Sequence, residues 1–215
     1  IAWLLMAGWL LHRGERRDRV VLHWSGVILF VIATVFAVGW QAIFLNPLMP
    51  FFGSPVEGWF VFDSLFLAYA IPAALYAGIG FYRLGPRALW QAALVLAAGF
   101  AFLWVTLEVR HFFHGDRLNQ GSTGEAEWYA YSAAWLAFAA TGLWAALKWR
   151  SPWLRRTSLL GLGLVVGKVF LSDMADLSGA LRALSFIGLG AVLVGIGYAH
   201  RRLGPLQQPN PESTS

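Results

Sequence analysis

Apolar residues in this chain come in long blocks broken by short clusters of Arg and Lys, and they do not alternate with polar ones. A helix rising about 1.5 Å per residue needs about 20 predominantly apolar residues to cross about 30 Å of hydrocarbon. Six blocks reach that length, approximately 20–45, 59–82, 88–108, 128–148, 157–177 and 182–200. A further block, residues 1–12, reads as the end of another span, so the chain is expected to be a piece of a longer protein. None of the blocks has the period-two alternation of a membrane strand. The pattern predicts an all-α polytopic transmembrane helix bundle over residues 1–202, with about seven spans of which the first is truncated. A polar tail at 203–215, containing several prolines, is expected to be disordered.

The connections set the orientation. Lys and Arg gather at 13–19, 83–87, 148–156 and 201–202, whereas the connections between these hold Arg110, Arg117 and Arg182. Strict alternation of basic-rich and basic-poor turns predicts that the former and the C-terminus are cytoplasmic, while 46–58, 109–127 and 178–181 face outward. Trp59, Trp90, Trp128, Trp149 and Trp153 fall at block boundaries, where interfacial aromatics belong. Gly161, Gly163 and Gly167, and then Gly188, Gly190, Gly195 and Gly197, predict close helix approach in the last two blocks.

Composition agrees with the pattern. Only 13% of the 215 residues are charged and 58% are hydrophobic, against about 25% charged in a soluble domain. The net charge of +5 sits in turns and forms no basic helix face, so it reads as topology and argues against nucleic acid. The absence of cysteine excludes disulfides, thiolate metal sites and a Cys nucleophile. The partners expected are the lipid bilayer and other transmembrane helices of the same protein or of a complex, in the bacterial inner membrane.

Candidate chemistry concentrates where the third full block ends, in "LEVRHFFHG". A charged residue at a helix centre costs about 2.5–3.5 kcal/mol on insertion scales, so each one needs a partner, an escape to the interface or a use. Asp63, Glu108 and Asp173 fall in the outer half of their spans, with Arg182 at the outer surface. Lys168 falls near the midplane, and its partner is expected from another helix, Glu108 or Asp63. Glu108, His111 and His114 are spaced i, i+3, i+6, spreading over about 120° of one helix face. A carboxylate with two imidazoles is a legitimate ligand set for zinc or another divalent ion. The spacing is nonetheless shorter than the i, i+4 of helical zinc motifs, and Gly115 is expected to end the helix. The preferred reading is a structural network in which Glu108 pairs with Lys168 or Arg110 while the histidines cap the helix end; a proton relay is the third alternative. No cofactor is predicted, and no nucleophile elbow or catalytic carboxylate pair is present.

"TLEVRHFFHG", "EAEWYAYSAAWLAFA" and "GKVFLSDMADLSGALRALSFIGLGAVLVGIGYAHRR", in this order over residues 104–202, resemble the C-terminal part of the large predicted bacterial membrane proteins catalogued as domain of unknown function 2339. The resemblance implies longer relatives with more spans and no established activity to carry over. It assigns Glu108, Arg110, His111, His114, Tyr131, Lys168, Asp173 and Arg182 to motif positions. Three functions are in view: a non-enzymatic scaffold or transport-related module with a polar outer-leaflet site; a metal-assisted membrane enzyme acting on a lipid-linked or envelope substrate; and a proton-coupled carrier.

Overall fold

A computed structural model describes residues 1–17, 19–49, 55–59, 61–148 and 152–169, together with isolated helical positions at 187–188, 190, 194–195 and 197. Asp173, Arg182, most of the 182–200 block, the basic pair at 201–202 and the tail lie outside the described residues. The chain divides into two units, Ile1–Leu159 and Leu160–Ser215, and each is taken by itself.

The first unit opens with α1 (Ala2–Arg16) packed on α2, which is α-helical over Val20–Val35 and continues in wider π turns over Phe36–Phe44. Two glycines bring these backbones together. A Cβ on Gly26 would lie 2.9 Å from the Leu11 amide nitrogen, and one on Gly14 would lie 2.8 Å from that of His23. Small residues at such positions are how helices associate where no hydrophobic driving force separates protein from lipid. Along α2 the buried positions are Gly26, Phe30, Ala33 and Ala37, whereas Trp24, Ile28, Val31, Val35 and Trp40 are exposed. Bulky apolar side chains outside and mostly small ones inside suit a helix that faces hydrocarbon.

The block at 59–82 departs from the single helix that its hydropathy predicts. Its start is a minimal hairpin, β1 (Gly58–Trp59) paired antiparallel with β2 (Phe62–Asp63), and helical structure follows only after it. Asp63 is the reason, because its Oδ1 accepts the Phe66 amide hydrogen at 3.0 Å, the reach of an N-cap carboxylate. The π turns Phe66–Ala70 then lead into α3 (Ile71–Phe81). Gln41 ties the two wide-turned segments together: its Nε2 donates to the Ala68 carbonyl at 2.8 Å, and its own carbonyl accepts from Tyr69 Oη at 3.3 Å.

Helix α3 packs on α4 (Arg87–His114), and α4 on α5 (Glu125–Lys148). The core between them is aromatic. Tyr76 is fully buried, meets Phe30 edge to face and Phe100 at a tilt, and donates to Thr34 Oγ1 at 3.0 Å. Helix α4 runs past residue 108, the edge that apolarity alone marks, and stops at Gly115, whose φ of 64° is the left-handed turn glycine allows. Among the described residues, three helices are long and apolar enough to cross a membrane: Val20–Phe44, Arg87–His114 and Glu125–Lys148. Phe66–Phe81 and Ser158–Lys168 are shorter apolar helices. The last described helix, α6 (Pro152–Lys168), carries Gly161, Gly163 and Gly167, where an added Cβ meets no described atom within 4 Å. Close glycine contacts among the described residues include Gly14 and Gly26 between α1 and α2, Gly80 of α3 against Leu94 and Gly142 of α5 against Ser158.

Candidate functional site

The inward stripe of α4 runs Leu89, Ala93, Ala97, Phe100, Leu107, Glu108 and His111. These positions follow steps of three, four and seven residues, with Leu107 and Glu108 adjacent, so one helix face stays buried as its chemistry changes from aliphatic to ionisable. Glu108 and His111 are therefore carried into the interior by the same periodicity that buries Leu89. Asp63, at the end of β2, meets them there with its side chain fully buried. Its Oδ2 stands 2.9 Å from His111 Nδ1, which is 3.9 Å from Glu108 Oε2. The other Glu108 oxygen, Oε1, accepts from Trp104 Nε1 at 2.9 Å. Val61, at the tip of the hairpin, holds a φ of 75°, and its amide faces the Glu108 carboxylate. A β-branched residue in that region is strained.

A second cluster forms on the neighbouring stripe of α4, where Arg110 and His114 sit one turn apart and face α5. Arg110 Nη1 donates to Glu127 Oε1 at 2.9 Å and to Thr123 Oγ1 at 3.0 Å. Its Nη2 donates to the Gly121 carbonyl at 3.1 Å and its Nε to that of Leu118 at 2.9 Å. Tyr131 Oη donates to Glu127 Oε1 at 2.9 Å, and His114 Nε2 lies 2.8 Å from Glu127 Oε2. Glu127 is thus held by three side chains, and Arg110 pins the 118–123 connection to the start of α5.

The structure brings together most of the residues that the sequence singles out, but in two groups. The i, i+3, i+6 set divides: Glu108 and His111 meet Asp63, while His114 turns to Glu127. A face spread over about 120° is wide enough to meet two different neighbours. Arg110 pairs with Glu127, and Tyr131 joins that pair rather than the Glu108 layer. Lys168 ends α6 within the second unit, and Asp173 and Arg182 lie outside the described residues. Glu127 is the residue that sequence reasoning passes over. Its signal was the i, i+4 pairing with Tyr131 in "EAEWYAYS", which places a carboxylate and a phenol on one helix face.

The family model described as "Predicted membrane protein (DUF2339)" matches residues 1–203, so the likeness extends well upstream of the three quoted motifs. No curated protein and no solved structure matches the chain.

Proposed function

Because the chain belongs to the DUF2339 family of predicted membrane proteins, we propose that it is a scaffold module of the bacterial inner membrane, part of a larger polytopic protein or complex. In this reading it crosses the bilayer about seven times, the Arg-rich turns and C-terminus are cytoplasmic, and the two ionisable clusters lie near the outer face. Alternation of basic turns supports the orientation. The observation that carries the scaffold role is the engagement of Arg110, whose four hydrogen bonds all go to the 118–123 connection and α5. A guanidinium engaged in this way fixes backbone and does not present a reactive group.

Orientation is tested by introducing single cysteines at positions 120 and 210 of the cysteine-free chain. A membrane-impermeant thiol reagent should reach 120 from outside and 210 only after the membrane is opened; labelling of both from one side refutes the orientation. The scaffold role is tested by Glu127→Gln, which should lower the amount of folded protein and any associated cellular phenotype together. A variant that accumulates and melts like the wild type yet abolishes the phenotype would make Glu127 a reactive group and end the scaffold reading.

A further inference from the structure

We propose that Asp63, Glu108 and His111 form a binding site for one divalent transition-metal ion of the zinc class. The site is not the Glu108, His111, His114 set of helical spacing, since His114 Nε2 is already engaged by Glu127. One ligand atom from each of Asp63, Glu108 and His111 lies within 4.8 Å of the others, with contacts of 2.9 Å between Asp63 and His111 and 3.9 Å between His111 and Glu108. Tetrahedral zinc with bonds of about 2.0 Å to nitrogen and oxygen needs donors about 3.3 Å apart. The two contacts to His111 straddle that value, and the two acids present their oxygens within 4.8 Å of one another.

The hydrogen bonding of the two acids points the same way. Each carboxylate is anchored by one oxygen and offers the other: Asp63 Oδ1 is held by the Phe66 amide while Oδ2 faces His111, and Glu108 Oε1 is held by Trp104 while Oε2 is turned to the same imidazole. Metal-ligating carboxylates are oriented in this manner by outer hydrogen bonds. Glu108 Oε2 makes no hydrogen bond of normal geometry, although its side chain is only 9% exposed. A buried acceptor left in that state costs free energy that coordination would recover. Two carboxylates this close and this buried also repel one another, and a dication neutralises both.

Three protein ligands leave a fourth position for water or a substrate oxygen, the arrangement of catalytic rather than closed structural zinc sites. Glu108 also lines a recess of about 320 Å³ whose other walls include Val61, Trp104, Val109, Phe112 and Ala130. A ligand approaching the ion along that side would have an apolar body and an oxygen head. The metal site stands on this geometry alone and holds whether or not the scaffold reading does.

The test uses the 215-residue chain purified in lipid nanodiscs through a tag without histidine, stripped with chelator and dialysed against Zn²⁺. Elemental analysis should find one zinc per chain, and added zinc should raise the melting temperature. Glu108→Gln keeps an acceptor for Trp104 and so should fold, yet it should weaken zinc binding at least tenfold; His114→Ala should leave binding unchanged. Co²⁺ in the wild-type protein should give the visible absorption of a low-symmetry nitrogen and oxygen site, lost on His111→Gln. Absence of stoichiometric zinc in the folded wild type, or binding abolished by His114→Ala and untouched by Glu108→Gln, overturns the proposal.

Discussion

Glu127 and Glu108 are both carboxylates buried against the same end of α4, and their surroundings differ atom for atom. Glu127 has a guanidinium and a phenol on one oxygen and an imidazole on the other. Glu108 has an indole on one oxygen and the Val61 amide facing its carboxylate, while Oε2 stands 3.9 Å from an imidazole that is itself in contact with a second carboxylate. The first arrangement matches a negative charge with a positive one and gives both carboxylate oxygens a partner. The second places two acids beside one base. What separates them is which neighbour each stripe of α4 meets: α5, reached through the 115–124 connection, supplies Glu127 to Arg110 and His114, whereas the hairpin supplies an acid to Glu108 and His111. Electrostatic completeness marks a packing element, and a surplus of acceptors marks a place built to receive something.

The contrast can be broken most forcefully at Glu127. Glu127→Gln leaves Arg110, only 11% exposed in its side chain, as a buried charge without its carboxylate; removing one partner of a buried pair costs about 3 kcal/mol or more. Thermal or denaturant unfolding in detergent should show a loss of that size, and a change below about 1 kcal/mol would mean the pair is solvated in the membrane protein. Tyr131→Phe removes one of the donors on Glu127 Oε1 and should cost about 1 kcal/mol in the same assay. A zero effect would show that Arg110 alone is enough for Glu127. Metal-free Glu108→Gln has the smallest expected effect and the opposite tendency, within about 1 kcal/mol of wild type and on the stabilising side, because it removes one of two adjacent acids while keeping the Trp104 bond. If Glu108→Gln instead destabilised the metal-free protein as much as Glu127→Gln does, the two clusters would be alike and the distinction drawn between them would fail.

Three of the apolar blocks were legible from the chain as long helices, because hydrocarbon imposes its thickness on any segment that crosses it. Val20–Phe44, Arg87–His114 and Glu125–Lys148 accordingly cover three of the predicted blocks. The end of α4 at Gly115 was legible too, since few residues but glycine adopt a φ of 64° there without strain. The hairpin at 58–63 was not. Hydropathy averages over Asp63, while the cap it makes to Phe66 is a single directed bond that a window of apolar residues conceals.

The candidate residues show the same division of labour. Burial of Glu108 and His111 follows from their place on a stripe that begins at Leu89, and that placement is a property of one helix. Their partners are a property of the fold. Asp63 stands 45 positions before Glu108 in the sequence, and its arrival depends on β2 closing a two-residue pairing and α3 starting where it does. Glu127 reaches Arg110 only because the 115–124 connection turns α5 back onto α4. Periodicity within a helix is a local quantity and can be read from the chain alone; which side chain waits across the gap is fixed by packing between elements, and that information exists only once the helices have met.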